Sequence, residues 1–157
     1  MKQTTSLKIC KFISGIGPAG NLPASGTWGA AIALPFAWLL IDSIWLPGLT
    51  LLSFIIGIWA IYPLIKNNSD KDPSYVIIDE FMGQLFVFCF VPAQEMNSLT
   101  LIFGFVFFRT FDSLKPWPAS FFAKKVHSGL GVKMDDLAAA HYATISLAFV
   151  LIISYKM

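Results

Sequence analysis

The sequence predicts an all-α integral membrane helical bundle, and three observations carry that expectation. Hydrophobic residues make up 56% of the 157-residue chain and charged residues only 13%, about half the charged share of a soluble domain. The apolar residues gather into five segments separated by polar stretches. The basic residues fall almost wholly on one side of the alternation those segments would make. The chain therefore reads as a single membrane-embedded domain over residues 1–157, with 1–14 as a basic N-terminal segment.

The first apolar segment runs from about Trp28 to Leu40, and the second from about Leu46 to Ile65. The third runs from about Val76 to Val91, with Asp79 and Glu80 near its start. The fourth runs from about Leu99 to Phe111, and the fifth from about Leu137 to Tyr155. A full crossing needs roughly 20 residues. The second and fifth satisfy that; the others are short enough to be tilted, interfacial or shielded by the bundle. The expectation is about four to five short transmembrane or membrane-embedded helices.

With the N-terminus inside and five crossings, Lys2, Lys8, Lys11, Lys66, Lys71, Arg109, Lys115, Lys124, Lys125 and Lys133 fall on the inner side. Of the 11 basic residues only Lys156 falls outside. Cytoplasmic loops carry such an excess. The same topology puts Asp79, Glu80, Asp112, Asp135 and Asp136 at the cytoplasmic ends of their segments. Acidic residues contribute little to orientation, so the two agreements are independent. They predict one pocket at the cytoplasmic edge.

Between the segments, Gly15 to Gly29 (GIGPAGNLPASGTWG) is dense in Gly, Pro, Ser and Asn and reads as a structured turn region, not a helix. It contains the string G-x-G-x-x-G at Gly15, Gly17 and Gly20, but Pro18 and Pro23 interrupt and the following segment is apolar on all sides, which excludes a dinucleotide fold. Its backbone N–H groups can still meet a phosphate, and Ser25 or Thr27 can cap the first span. Lys115-Pro116-Trp117-Pro118 ends the fourth helix. Ala119 to His127 reads as a short interfacial helix with its lysines near anionic lipid, and Trp45 and Trp117 as interfacial anchors. Cys10 and Cys89 show no disulfide or metal spacing. A net charge of +2 without basic runs among aromatics excludes nucleic acid as a partner. No apolar run precedes Gly15, so no cleavable signal peptide is expected.

The chain has nine Asp and Glu, and five of them sit in VIIDEFMGQLFVF, FFRTFDSLKPWPA and GVKMDDLAAAHYA. A carboxylate at membrane depth costs about 2.5–3.5 kcal/mol at a helix centre. Keeping several implies use, and binding a cation is the least costly way to keep them. Each motif alone has a plainer reading. Arg109, Asp112 and Lys115, three residues apart, make a local ion-pair set. Asp135 and Asp136 precede the fifth segment and favour its N-terminus electrostatically. Asp79 and Glu80 point about 100 degrees apart on a helix, so both reach one pocket only if it lies between them. Gln84 follows on the face of Glu80. Gathered on one side, the carboxylates repel unless protonated or neutralised by metal. Oxygen-only ligands suit Mg²⁺ or Mn²⁺, and a hard cation beside Arg109 and Lys115 points to a phosphate. His127 is an acid–base candidate or a surface residue. His141 is expected as a packed polar residue bonding across helices.

GTWGAAIALP (26–35), VIIDEFMGQ (76–84), FFRTFDSLKPWPA (107–119) and VHSGLGVKMDDLAA (126–139) resemble, in order and spacing, the phosphatidylglycerophosphatase A family. The resemblance covers Gly15 to about Tyr142 and departs from the family pattern at Ser128 and at Ala24-Ser25-Gly26. It implies a Mg²⁺-dependent phosphatase of bacterial phospholipid synthesis, a multi-pass protein of the cytoplasmic membrane. The implied reaction removes the terminal phosphate of phosphatidylglycerophosphate and leaves phosphatidylglycerol. It carries Asp79, Glu80, Asp112, Lys115, Asp135 and Asp136 over as the polar motif residues. On this combined reading the catalytic candidates are Asp79, Glu80, Asp112, Lys115 and Asp136. The metal candidates are Asp79, Glu80, Asp112, Asp135 and Asp136. The substrate-binding candidates are Thr27, Arg109 and Lys115. Water is the expected nucleophile, with an aspartyl nucleophile as the alternative. The competing reading is an ion- or proton-coupled transporter, which would hold its acids near segment centres and not at one edge.

Overall fold

The computed structural model describes residues 2–66, 73–117 and 129–156, and the side chains of 5–66, 73–117 and 134–154. The described residues are all-helical in their regular structure: α1 Lys2–Ser14, α2 Ser25–Leu40, α3 Trp45–Lys66, α4 Ile78–Phe88, α5 Ser98–Leu114 and α6 Gly129–Lys156, with 3₁₀ turns at Ala19–Asn21 and Ala93–Glu95. The expected interfacial helix over 119–127, with His127, lies outside the described residues.

Among the described residues two helices are long and apolar enough to cross a membrane: α3, with 22 residues and a mean hydropathy of 2.0, and the 21-residue Met134–Ser154 stretch of α6, at 1.9. They match the two segments expected to span. α2 is apolar but has only 16 residues. The long helices expose Leu51, Ile55, Trp59 and Tyr62 on α3 and Ile145, Phe149 and Ile152 on α6. These recur at helical spacing, so each helix turns an apolar stripe outward, where a soluble protein would be polar. The Thr50 and Ser53 hydroxyls donate within α3, to the Leu46 and Leu49 carbonyls, and so need no water.

The third apolar segment departs from expectation. It forms no span over 76–91 but the 11-residue α4, roughly 16 Å long against a hydrocarbon core of about 30 Å. Nine of its residues are buried, because α2, α3, α5 and α6 all pack around it. A helix apolar on every side is either lipid-facing or central, and hydropathy alone does not separate the two. Small residues let its neighbours close in: Ala30, Ala33 and Ala37 of α2 and Ala139, Ala140 and Ala143 of α6 join its core. Against α5 the rings and glycines alternate. A Cβ on Gly83 would lie 2.7 Å from the Phe108 ring, and one on Gly104 would lie 2.6 Å from the Phe88 ring.

The basic N-terminal segment forms the helix α1, held on α3 through Cys10, Ala60 and Leu64. Three further expectations are corrected. The turn region ends at Ala24, whose left-handed backbone (φ 54°) opens α2, so residues 25–29 are helical. Neither Ser25 nor Thr27 caps α2; Ala24 holds the N-cap position, and the Ser25 hydroxyl donates to the Ser74 carbonyl. α6 starts at Gly129, well before its apolar stretch, so Asp135 and Asp136 lie inside the helix. Hydropathy marks only the part of a helix that lipid or core requires to be apolar.

Replacing Gly83 by Ala drives a methyl into the Phe108 ring and is expected to cost about 1–3 kcal/mol of stability. Adding Phe108→Leu should recover part of the loss. Thermal unfolding in detergent measures both, and an unchanged melting temperature in Gly83→Ala would contradict this packing.

Candidate active site

Four helix ends meet at one end of the bundle. The first turn of α4 carries Asp79 and Glu80, and the last turns of α5 carry Arg109 and Asp112. The N-terminal third of α6 carries Asp135 and Asp136. The first turn of α2 closes the site: a Cβ on Gly26 would press on Glu80 Oε1 and come within 3.3 Å of Arg109 Nη1. A side chain here would have to displace the Glu80 carboxylate from its present place. Thr27, half-buried, follows in the same turn.

The five acids divide into two kinds. Asp112 pairs with Arg109 of its own helix. Asp135 pairs with Lys115 and also accepts the Asp136 N–H at 3.1 Å. Lys115 therefore does not complete a local set with Arg109 and Asp112; it ties the end of α5 to α6. It sits at the C-cap of α5 in the left-handed region (φ 43°), and its N–H closes on the Phe111 carbonyl at 2.9 Å. Burial works against its ammonium, but the hydrogen bond and charge of Asp135 outweigh that, and its pKa lies above the ordinary lysine value.

Asp79, Glu80 and Asp136 are the other kind. Each offers a carboxylate oxygen, and these oxygens all lie within 4.8 Å of one another. The pocket thus lies between Asp79 and Glu80, the condition for both adjacent residues to serve it. Asp79 and Asp136 are buried and Glu80 is partly so. Asp79 Oδ1 and Glu80 Oε2 are buried without a hydrogen-bond partner, and so are both amide atoms of Gln84. An unsatisfied buried polar group costs about 1–3 kcal/mol. Two unit charges about 5 Å apart repel by roughly 3–4 kcal/mol at an effective dielectric of 20. Three such pairs approach the whole stability of a domain, about 5–15 kcal/mol. The triad therefore holds together only with added protons or a countercharge, and no described side chain is ion-paired with it. Orphaned oxygens on hard carboxylate ligands fit a divalent cation of the Mg²⁺ type.

His141 differs from expectation. It is exposed, its Nδ1 lies 2.8 Å from the Leu137 carbonyl of its own helix, and its ring leans on Phe86 across the interface. Gln84 was legible as a neighbour of Glu80 by its four-residue spacing. Its full burial was not, because that depends on the central place of α4.

A bundle with an apolar exterior and an acidic, cation-seeking end flanked by Arg109 and Lys115 has the character of an enzyme for phosphorylated lipids. The chain belongs to the phosphatidylglycerophosphatase A family, whose profile matches residues 12–151 and so spans every carboxylate of the site. It is 31% identical over 130 residues to the phosphatidylglycerophosphatase A of Escherichia coli K12, covering 82% of this chain and 72% of the relative. It is 30% identical over 134 residues to that of Haemophilus influenzae, covering 83% and 81%. A Bacteroides thetaiotaomicron relative, 36% identical over 133 residues and covering 84% of this chain and 80% of its own, carries the provisional name of a phosphatidylinositol-3-phosphatase. No solved structure matches the chain. The family makes this chain a lipid phosphatase, and the transporter reading has no support.

Lys115→Met would remove the ion pair that ties Asp135 to the end of α5, an expected loss of about 1–3 kcal/mol. The double variant with Asp135→Leu should recover most of that stability but not phosphate release. Melting curves and activity measured together check this; equal stability of Lys115→Met and the parent would contradict the pairing.

Proposed function

We propose that the chain hydrolyses the terminal phosphomonoester of phosphatidylglycerophosphate to phosphatidylglycerol and phosphate, using Mg²⁺, at the cytoplasmic edge of a bacterial membrane. The observation that carries this reading is the buried triad of Asp79, Glu80 and Asp136 with unpartnered oxygens beside two basic side chains. The substrate's identity rests on the family. Sidedness rests on the excess of basic residues in the stretches that flank the acidic motifs, Lys66, Lys71, Arg109, Lys115, Lys124, Lys125 and Lys133.

Asp79, Glu80 and Asp136 would hold the cation. When bound, it supplies positive charge that neutralises the phosphate and polarises its oxygens. Arg109 and Lys115 face the same region, each with a carboxylate holding it. Asp112 and Asp135, counted among the five expected metal ligands, act on this reading through those pairs. They fix the two cationic side chains so that the phosphate oxygens find preset donors. The first turn of α2 adds the Gly26 N–H, which no side chain caps, and the Thr27 hydroxyl; the Thr27 N–H already donates to the Ala24 carbonyl at 2.9 Å. Water attacks phosphorus, the bond between phosphorus and the glycerol oxygen breaks, and the leaving alkoxide takes a proton. A carboxylate of the triad accepts the proton of the attacking water and returns it to the departing glycerol oxygen. The acyl chains stay in the bilayer, which an apolar exterior allows.

Asp79→Asn, Asp112→Asn and Asp136→Asn keep side-chain size and remove charge. Each is expected to lower turnover on phosphatidylglycerophosphate by at least about a hundredfold, roughly 2.7 kcal/mol of barrier, in protein that still purifies from membranes. His141→Asn, on an exposed position away from the triad, should be much milder. Near-normal turnover in all three Asn variants would refute the assignment.

A further inference from the structure

Gln84 is the most completely buried polar side chain near the site, with no exposed surface, and neither of its amide atoms has a partner. It sits one helical turn beyond Glu80 on the same face of α4. Helical side chains lean back toward the N-terminus of their helix, so its carboxamide extends toward the end that carries Glu80. The adjacent Gly83 lies at the level of α6 where the Asp136 carbonyl passes, 3.5 Å from the site of a Cβ. Gln84 is thus level with the inner side of the triad.

A glutamine used only as core filler would be expected to bond a backbone carbonyl or a neighbouring hydroxyl, because buried amides are nearly always paired. Here the Glu80 Oε2 atom is also buried and unpartnered. The amide and the carboxylate stand one turn apart on one helix face without bonding each other. A cation with oxygen ligands takes up the acceptor atoms, Glu80 as a charged ligand and the Gln84 carbonyl oxygen as a neutral one, while the Gln84 NH₂ remains a donor outside that set.

We infer that Gln84 forms the floor of the cation site and contributes its Oε1 as a neutral oxygen ligand below Asp79, Glu80 and Asp136. This rests on the reading of the triad as a cation site. A neutral ligand there holds the ion without adding a fourth charge to a desolvated cluster, and it sets the ion's depth in the pocket.

The test is Mn²⁺ binding by purified protein, followed through the electron paramagnetic resonance signal of the free ion, together with thermal unfolding in the absence of cation. The chains compared are wild type, Gln84→Met and Gln84→Glu. Met matches Gln in length and lack of branching but has no carbonyl. Gln84→Met should bind Mn²⁺ at least tenfold more weakly and melt no lower than wild type without cation, since two unsatisfied polar atoms disappear. Gln84→Glu, which restores an oxygen, should bind at least as well as wild type. Gln84→Met binding that is less than tenfold weaker, or Gln84→Glu binding as poorly as Gln84→Met, overturns the inference. Wild-type protein that takes up no Mn²⁺ overturns the cation reading itself and this inference with it, whereas a tight wild type beside an equally tight Met variant removes only Gln84.

Discussion

Three carboxylates whose oxygens lie within 4.8 Å of one another, two of them on buried residues, cannot all be ionised unless something positive joins them. The rest of the structure follows from holding them there. Repulsion would spread the groups if their backbones could yield. They are fixed because Asp79 and Glu80 open a helix enclosed on every side and Asp136 belongs to a long helix packed along it. The burial that makes the cluster costly also gives it a use. An ion bound in a partly dry pocket exerts on a phosphate a pull that water would otherwise screen.

The short α4 is where fold and chemistry meet. A lipid-facing helix would need roughly 20 residues; a helix shielded by its neighbours does not. Because α4 ends inside the bundle, its first turn delivers two acids to the level where α5 ends and α6 passes. The Gly83–Phe108 and Gly104–Phe88 contacts set its depth. The protein's own cations, Arg109 and Lys115, are each engaged by an acid outside the triad.

Much of this was readable in the chain. Long apolar runs gave α3 and the apolar part of α6, because length and composition suffice for a span. Proline after Lys115 gave the end of α5. The place of the acids beside apolar segments singled them out, and of the five Asp79, Glu80 and Asp136 bring their oxygens together. What was hidden is tertiary. Hydropathy could not tell that α4 is enclosed, that α6 begins several residues before it turns apolar, or that Ala24 would open α2 where Ser25 and Thr27 offered caps. Nor could spacing assign Lys115. Three residues from Asp112 it reads as a local partner, but the left-handed turn at the end of α5 sends its side chain to Asp135 on another helix.

The dependence of the site on an external countercharge is tested most directly by phosphate release from phosphatidylglycerophosphate in detergent micelles, with the purified protein first dialysed against excess EDTA and then given Mg²⁺. Release should stop in the chelator and return with Mg²⁺, because the triad supplies ligands and no charge that a phosphate could accept. Full turnover in excess EDTA would contradict a cation-held triad as the working centre of this protein.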